Sequence, residues 1–341
     1  MSLYALYPSL IRPLVFCLDP ENAHSMTIKL GSLLSHPPLV KLMGQKVASK
    51  PVEVMGLHFD NPLGLAAGMD KNGDAIDYLG ALGFGHLELG TVTPRPQRGN
   101  PRPRMFRIPA ARGLINRMGF NNNGVDYLVT KLQQRHFKGV VGVSIGKNEV
   151  TPLEKAADDY KICMKKVYNY CDYIAVNISC PNTKDLTALQ EAAPLVKLIG
   201  SLKEEQSRLA SENNKYVPLV VKIAPDLSDL QLDAICDACL SLKIDGLSCT
   251  NPTTSRDEIY GLPHASEWGG LSGEPLRQKS TLVLSKVHQR VKDKIPLIGI
   301  GGVNGVIAAR EKMAAGAALV QLYSAFVYQG PQVIADIVDN L

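Results

Sequence analysis

What this chain of 341 residues lacks narrows it before anything it contains. No apolar run reaches the roughly 18–20 residues that a membrane-spanning helix needs. The longest candidate, Ile295 to Ala309, is broken by four glycines and an asparagine. The start, MSLYALYPSLIRP, has neither the basic stretch nor the small-residue cleavage site of a secretory leader. With 29 glycines and 22 prolines the composition is neither collagen-like nor low-complexity. The seven cysteines are an odd number, which fits free thiols in a reducing compartment better than a disulfide framework. Histidines, also seven, are scattered without ligand spacing, so no metal site is expected. The net charge of +5 leans toward an anionic ligand or lipid surface and is too small to argue for nucleic acid.

What is present describes a globular chain with a real core: 45% apolar and 20% charged residues. From about residue 60 onward, short apolar runs suited to buried parallel strands alternate with longer amphipathic stretches. The runs lie at Pro62–Ala66, His86–Thr91, Val140–Ile145, Tyr173–Ser179, Val217–Ile223, Gly246–Thr250, Pro296–Gly301 and Ala318–Ser324. Helices are expected at Asp74–Leu82, Leu153–Tyr170, Leu227–Leu242, Pro275–Val291, Gly305–Ala315 and Pro331–Leu341. Eight such units predict a (β/α)8 TIM barrel, with an open doubly wound sheet as the alternative. Val52–Phe59 reads as a hairpin sealing the barrel bottom. Two connections, Thr93 to Leu114 and Asn251 to Gly270, are too long for simple turns and read as substrate loops. The first of them is rich in arginine but carries no interleaved aromatics, so nucleic-acid binding is not expected.

The first 45 residues differ in character. Asp19-Pro20-Glu21 is a helix start, and Leu6, Leu10, Ile11, Leu14, Leu30, Leu33, Leu34, Leu39 and Leu42 repeat at helical spacing around it. Two readings fit: a helical cap over one end of the barrel, or a small module whose apolar face lies in a membrane interface. Cys236 and Cys239 form a C-x-x-C. They also continue an apolar stripe with Leu232, Ile235 and Leu240, which points to core packing.

Candidate chemistry sits at the predicted strand ends. Lys71 follows the first barrel strand, and Lys222 lies inside the apolar run VPLVVKIAP, where a cation costs several kcal/mol unless an anion meets it. It could form a Schiff base, as in an aldolase, or face an anionic cofactor. Asn116, Asn177, Asn182 and Asn251 each offer a donor pair and an acceptor, which suits a pyrimidine-like ring. Gly299-Ile300-Gly301-Gly302 and Tyr323-Ser324, after the seventh and eighth strands, occupy the places of the recurrent barrel phosphate cradle.

The segments AAGMDK, GTVTPRPQ, GLINRMGFNN, NISCPN, VKIAPDL, GGLSGEPL, GIGGV and LVQLYSAF resemble, in order and spacing, the dihydroorotate dehydrogenase family, specifically its quinone-dependent class 2. The resemblance implies FMN-dependent oxidation of dihydroorotate to orotate in pyrimidine synthesis, with a membrane quinone as acceptor. Alternatives are a soluble acceptor, fumarate or NAD, or a flavin-free Schiff-base barrel. The resemblance implies FMN against Ala67, Gly68, Met69, Asp70, Lys71, Thr91, Ser144, Asn177, Lys222 and Thr250, its phosphate end against Gly273, Gly302, Tyr323 and Ser324. Orotate would meet Lys71, Asn116, Arg117, Met118, Gly119, Phe120, Asn177, Asn182, Asn251 and Pro252. Residues 1–45 would be the membrane-associated quinone mouth and 46–341 the FMN barrel, peripheral on the cytoplasmic face of a bacterial membrane. Three positions depart from the class pattern. Cys180 stands where class 2 has a serine base, Ser144 where an asparagine is usual, and Pro252 where a threonine follows Asn251.

Overall fold

The computed structural model describes residues 3–179 and 189–341. Eight parallel strands close into a barrel in the order β3 (Leu63–Leu65), β4 (His86–Val92), β7 (Val140–Ile145), β8 (Tyr173–Asn177), β9 (Leu219–Ile223), β10 (Gly246–Cys249), β12 (Leu297–Ile300) and β13 (Ala317–Leu322). Crossover helices pack outside: α4 (Ile76–Ala81), α5 (Val125–Gln134), α6 (Ala156–Val167), α7 (Ala192–Asn213), α8 (Asp229–Ser241), α9 (Arg277–Val291) and α10 (Val306–Ala314), with α11 (Ser324–Gln329) and α12 (Gln332–Val338) closing the ring. The expected barrel is what forms. Its strands read as continuous apolar runs because helices cover them outside and the barrel interior covers them inside.

At the bottom, β1 (Val52–Val54) and β2 (Leu57–Phe59) form the expected hairpin. Met55 and Gly56 both carry positive φ, 55° and 73°, as a two-residue hairpin turn of this hand requires. Phe59 is fully buried and meets the His86 ring edge-on, plugging the barrel.

Two crossover helices are absent from the sequence reading. In α7, Pro194 and Gly200 look like breakers. Pro194 falls in the first turn, where no N–H is needed, and the buried Leu195, Leu198, Leu202 and Leu209 hold the rest. The helix α5 is short, with only Val125, Leu128 and Leu132 buried. The long arginine-rich connection also contains structure read as loop: β5 (Met105–Ile108) and β6 (Gly113–Asn116) form a hairpin, which β11 (Gly270–Gly273) extends into a three-stranded sheet. Its strands are four residues each and its third member comes from the other long connection, so no local pattern announces it.

The N-terminal segment carries α1 (Arg12–Phe16), α2 (Pro20–Leu34) and α3 (Pro37–Met43). Asp19 caps α2 by accepting from the amides of Glu21 (3.1 Å) and Asn22 (3.0 Å). One face is docked. Tyr7 donates to the Val327 carbonyl at 2.8 Å, and Arg107 donates to that of Leu18 at 2.8 Å. Glu21 is buried in a two-pronged pair with Arg104 (2.7 and 3.0 Å) and also takes Arg102 (2.8 Å). The other face leaves Leu10, Leu14, Leu33 and Leu42 from 60% to 79% exposed.

Burial pushes the Glu21 carboxyl up, but the two arginines outweigh it and hold it below the usual carboxylate range. The pair therefore stabilises above the unfolded pKa of about 4.3, and its contribution is lost as pH falls through the lower folded value. Glu21→Gln, which leaves Arg104 buried beside a neutral partner, is expected to cost about 3 kcal/mol. Hydrogen exchange over residues 20–34 checks this. Protection equal to the parent's would mean that the pair does not dock the helix.

Candidate functional site

The carboxyl ends of the strands open into one cleft with about 1210 Å³ of space, counting the part open to solvent. Its floor is built by alternation along the strands, which turns every second side chain inward. Lys222 on β9 meets Glu88 on β4 at 3.4 Å, and both are buried. Glu88 is held in turn by the Tyr173 hydroxyl (3.0 Å) and the Gln321 amide (3.1 Å). The Gln321 amide group also lies 3.2 Å from His86, whose burial holds it near pKa 4 and therefore neutral. Among the described residues the Gln321 side-chain oxygen has no hydrogen-bond partner, although the residue lines the cleft. The anion that Lys222 needs is thus partly supplied by the protein. Glu88, Tyr173 and Gln321 were missed in the sequence. The signal was there: polar His86 and Glu88 alternate within an otherwise apolar strand.

Above this floor runs a chain of amides and hydroxyls. The Ser144 hydroxyl lies 2.8 Å from that of Thr91, and Asn177 donates to the Thr91 hydroxyl at 2.9 Å. Asn251 donates to Asn177 Oδ1 (2.9 Å) and Ser179 Oγ (2.6 Å), and Ser179 donates to the Lys222 carbonyl at 2.8 Å. With both N–H bonds engaged, what Asn251 has left for a ligand in the cleft it lines is its side-chain oxygen. On the opposite side Lys71 donates to Asn121 at 2.7 Å. His24, on α2, feels the Lys71 charge, which adds to burial in holding that histidine near pKa 4.

Most of the expected residues are brought together. Ala67, Gly68, Lys71, Thr91, Asn116, Met118, Gly119, Phe120, Asn177, Lys222, Thr250, Asn251, Pro252, Gly273, Gly302, Tyr323 and Ser324 line the cleft. Four do not. Met69 and Asp70 lie behind the wall, where the Asp70 carboxylate accepts from the amides of Asp74 (2.9 Å) and Ala75 (2.7 Å) and shapes the turn that carries Lys71. Burial outweighs those amides and raises Asp70 to about pKa 6. Ser144 is fully buried, its hydroxyl against that of Thr91, which lines the cleft. Arg117 turns away to Glu267 (2.6 Å), its guanidinium 4.6 Å over the Phe106 ring and 5.0 Å over Trp268. Cys180 and Asn182 lie outside the described residues.

The far end is walled by glycines. A Cβ on Gly302 would stand 2.4 Å from Arg277 Cα, and one on Gly273 would stand 2.3 Å from the Arg112 carbonyl; both have positive φ. Neither position has room for a side chain, so the chain lines this end of the cleft as bare backbone, the kind of surface on which amides can meet an anion. FMN fits this donor set: a cation and paired amides for the ring, bare backbone for the phosphate. Cys236 and Cys239 are packed in α8, where burial raises them to about 11 and 12; they take no part.

A closed parallel barrel with this cleft defines a class of protein: a barrel oxidoreductase that holds a flavin nucleotide at its carboxyl rim. Comparison with known proteins gives the family. A family model described as dihydroorotate dehydrogenase matches residues 50–341. A dihydroorotate dehydrogenase (quinone) from Baumannia cicadellinicola is 53% identical over 98% of this chain and 100% of its own length. One from an Enterobacter species is 52% identical with the same coverage. A crystal structure of the Eimeria tenella dihydroorotate dehydrogenase in complex with ferulenol superposes with a TM-score of 0.88 at 34% identity, covering 99% of this chain and 93% of that one. The chain belongs to the dihydroorotate dehydrogenase family.

Proposed function

We propose that this chain oxidises dihydroorotate to orotate, with FMN as the bound redox group and a quinone as the final acceptor, in pyrimidine biosynthesis. The observation that carries the reading is the buried Lys222–Glu88 pair beneath linked Asn177 and Asn251, next to a glycine-walled anion end. FMN supplies a two-electron acceptor for the substrate's hydride and a link onward to the quinone. The chain's own residues do the rest. Lys71, Asn116, Asn177 and Asn251, which line the cleft, would grip the pyrimidine ring and its carboxylate, and Asn182 would join them. Cys180 takes the proton from C5. Lys222 would lie beneath the bound group and balance the negative charge it takes up.

Residues 1–45 form the quinone mouth and the membrane contact, and 46–341 the FMN barrel, peripheral on the cytoplasmic face. Among the described residues no helix is long and apolar enough to cross a membrane. The exposed leucines of the N-terminal helices supply an apolar face that can lie in an interface, next to a rim that reaches Lys71.

Dihydroorotate oxidation assayed side by side with quinone, fumarate and NAD tests the reaction. Quinone is expected to support turnover at least tenfold faster than either soluble acceptor, and equal rates would overturn the acceptor assignment. The membrane reading has its own check. Leu14, Leu33 and Leu42 changed together to glutamate should abolish co-sedimentation with anionic lipid vesicles. Turnover with a long-chain quinone should fall severalfold, while the rate of flavin bleaching by dihydroorotate stays at the parent's value. Unchanged vesicle binding would leave the segment as a structural cap.

A further inference from the structure

Lys312, on α10, is fully buried, and the reaction as proposed makes no use of it. Its ammonium donates to Ser280 Oγ (2.6 Å), Thr281 Oγ1 (2.8 Å) and the Arg277 carbonyl (3.4 Å). Among the described residues no carboxylate forms an ion pair with it. The adjacent Glu311 turns to Arg277, 2.6 Å away. The lysine also stands beside the start of α9, a 15-residue helix whose first amides already make that end positive. A buried cation placed against a positive helix end is unfavourable unless an anion completes the site.

That anion has a place. Ser280, which accepts from Lys312, has a single hydroxyl proton and lies 2.9 Å from the Gly301 carbonyl and 2.8 Å from that of Leu276. The Gly301–Gly302 turn is pressed against the same helix start. A Cβ on Gly301 would meet Ser280 Oγ at 2.8 Å, and one on Gly302 would meet Arg277 Cα at 2.4 Å. The wall between the lysine and the cleft's anion end is therefore one turn of glycine backbone.

We propose that Lys312 is a positioning residue for the flavin's phosphate. From behind the Gly301–Gly302 turn it supplies the positive charge that the phosphate completes, and through Ser280 it fixes the turn whose amides meet that phosphate. The inference rests on the flavin reading of the cleft. The charged groups around Lys312 are few. Burial lowers it to about pKa 7, Glu311 opposes that and Arg277 adds to it, while the nearby Cys249 thiol is itself pushed up by burial and stays neutral. Without the phosphate the lysine is thus partly deprotonated near neutrality. Binding of the dianion draws a proton onto it.

The full-length chain, stripped of flavin, is titrated with FMN and with riboflavin, which lacks the phosphate. Lys312→Met is expected to weaken FMN binding at least tenfold and leave riboflavin binding unchanged. Its flavin-free thermal midpoint should equal or exceed the parent's, because an unpaired buried cation has become apolar. Between pH 7.5 and 9.5 the phosphate stays doubly charged, its second pKa being about 6. In that window the parent's FMN affinity should fall and the variant's stay flat. Ser280→Ala, which keeps the lysine and breaks the relay, should show a smaller loss confined to FMN. It carries the test if the methionine variant does not fold. FMN binding at the parent's strength in Lys312→Met, or equal losses for FMN and riboflavin, overturns this inference alone. A parent chain that binds neither flavin overturns the flavin reading, and this inference with it.

Discussion

Replacing Cys180 with alanine should slow the bleaching of bound flavin by dihydroorotate about 10²–10⁴-fold, the usual contribution of a positioned general base. Cys180→Ser should retain part of the rate and require higher pH to reach it. A free thiol has a pKa of about 8.5, within reach of neutrality, whereas a serine hydroxyl depends on its surroundings for any basic character. The residue before Cys180 is a fixed point. The Ser179 hydroxyl donates to the Lys222 carbonyl at 2.8 Å and accepts from Asn251 at 2.6 Å, which ties Ser179 to the strand carrying the buried lysine. Stopped-flow absorbance over a pH series measures both variants. An alanine variant that bleaches as fast as the parent removes Cys180 from the reaction. A serine variant whose pH profile coincides with the parent's means that the thiol does not set that profile. Substrate affinity separates this from misplacement, since a lost base leaves it nearly unchanged.

Elements that depend on local pattern were legible. The eight parallel strands announce themselves because each is buried on both faces and reads as an apolar run. The Met55-Gly56 turn and the Asp19 cap are decided within a few residues, by φ and by a side-chain acceptor. Long-range pairings were not legible. The sheet of β5, β6 and β11 joins segments from two connections, each too irregular to show a period by itself. The site divides the same way. Lys222 stood out as a cation in an apolar strand, yet nothing local says that Glu88, on a strand three places round the barrel, is its partner. Ser144 and Arg117 show the opposite case. The resemblance implies a ligand for each, and in this structure the one hydroxyl lies on Thr91 and the guanidinium of the other on Glu267, pairings that no local pattern announces.

The Lys222–Glu88 pair separates two effects that a single substitution would confuse. Lys222→Met leaves the buried Glu88 without its cation, though Tyr173 and Gln321 still donate to it. Breaking a buried pair from one side costs about 3–5 kcal/mol, and the lower figure is expected here because two hydrogen bonds remain. Glu88→Gln breaks the pair from the other side and leaves the ammonium uncompensated beneath the cleft. The flavin's midpoint potential should then rise by tens of millivolts, about 30 mV for each 1.4 kcal/mol of added electrostatic stabilisation. In Lys222→Met the potential should fall, because the charge that balances the incoming electrons is gone. The double variant decides between charge and packing. Its stability should recover to within about 1 kcal/mol of the parent, since no buried charge is left unpaired, while its potential stays low and bleaching by dihydroorotate stays slow. Chemical denaturation and dye-equilibrated potentiometry on the four proteins give both readouts. If the double variant is as unstable as the sum of the singles, the two residues are not a coupled pair. If Glu88→Gln leaves the potential where it was, Glu88 does not tune the charge that Lys222 presents to the cleft.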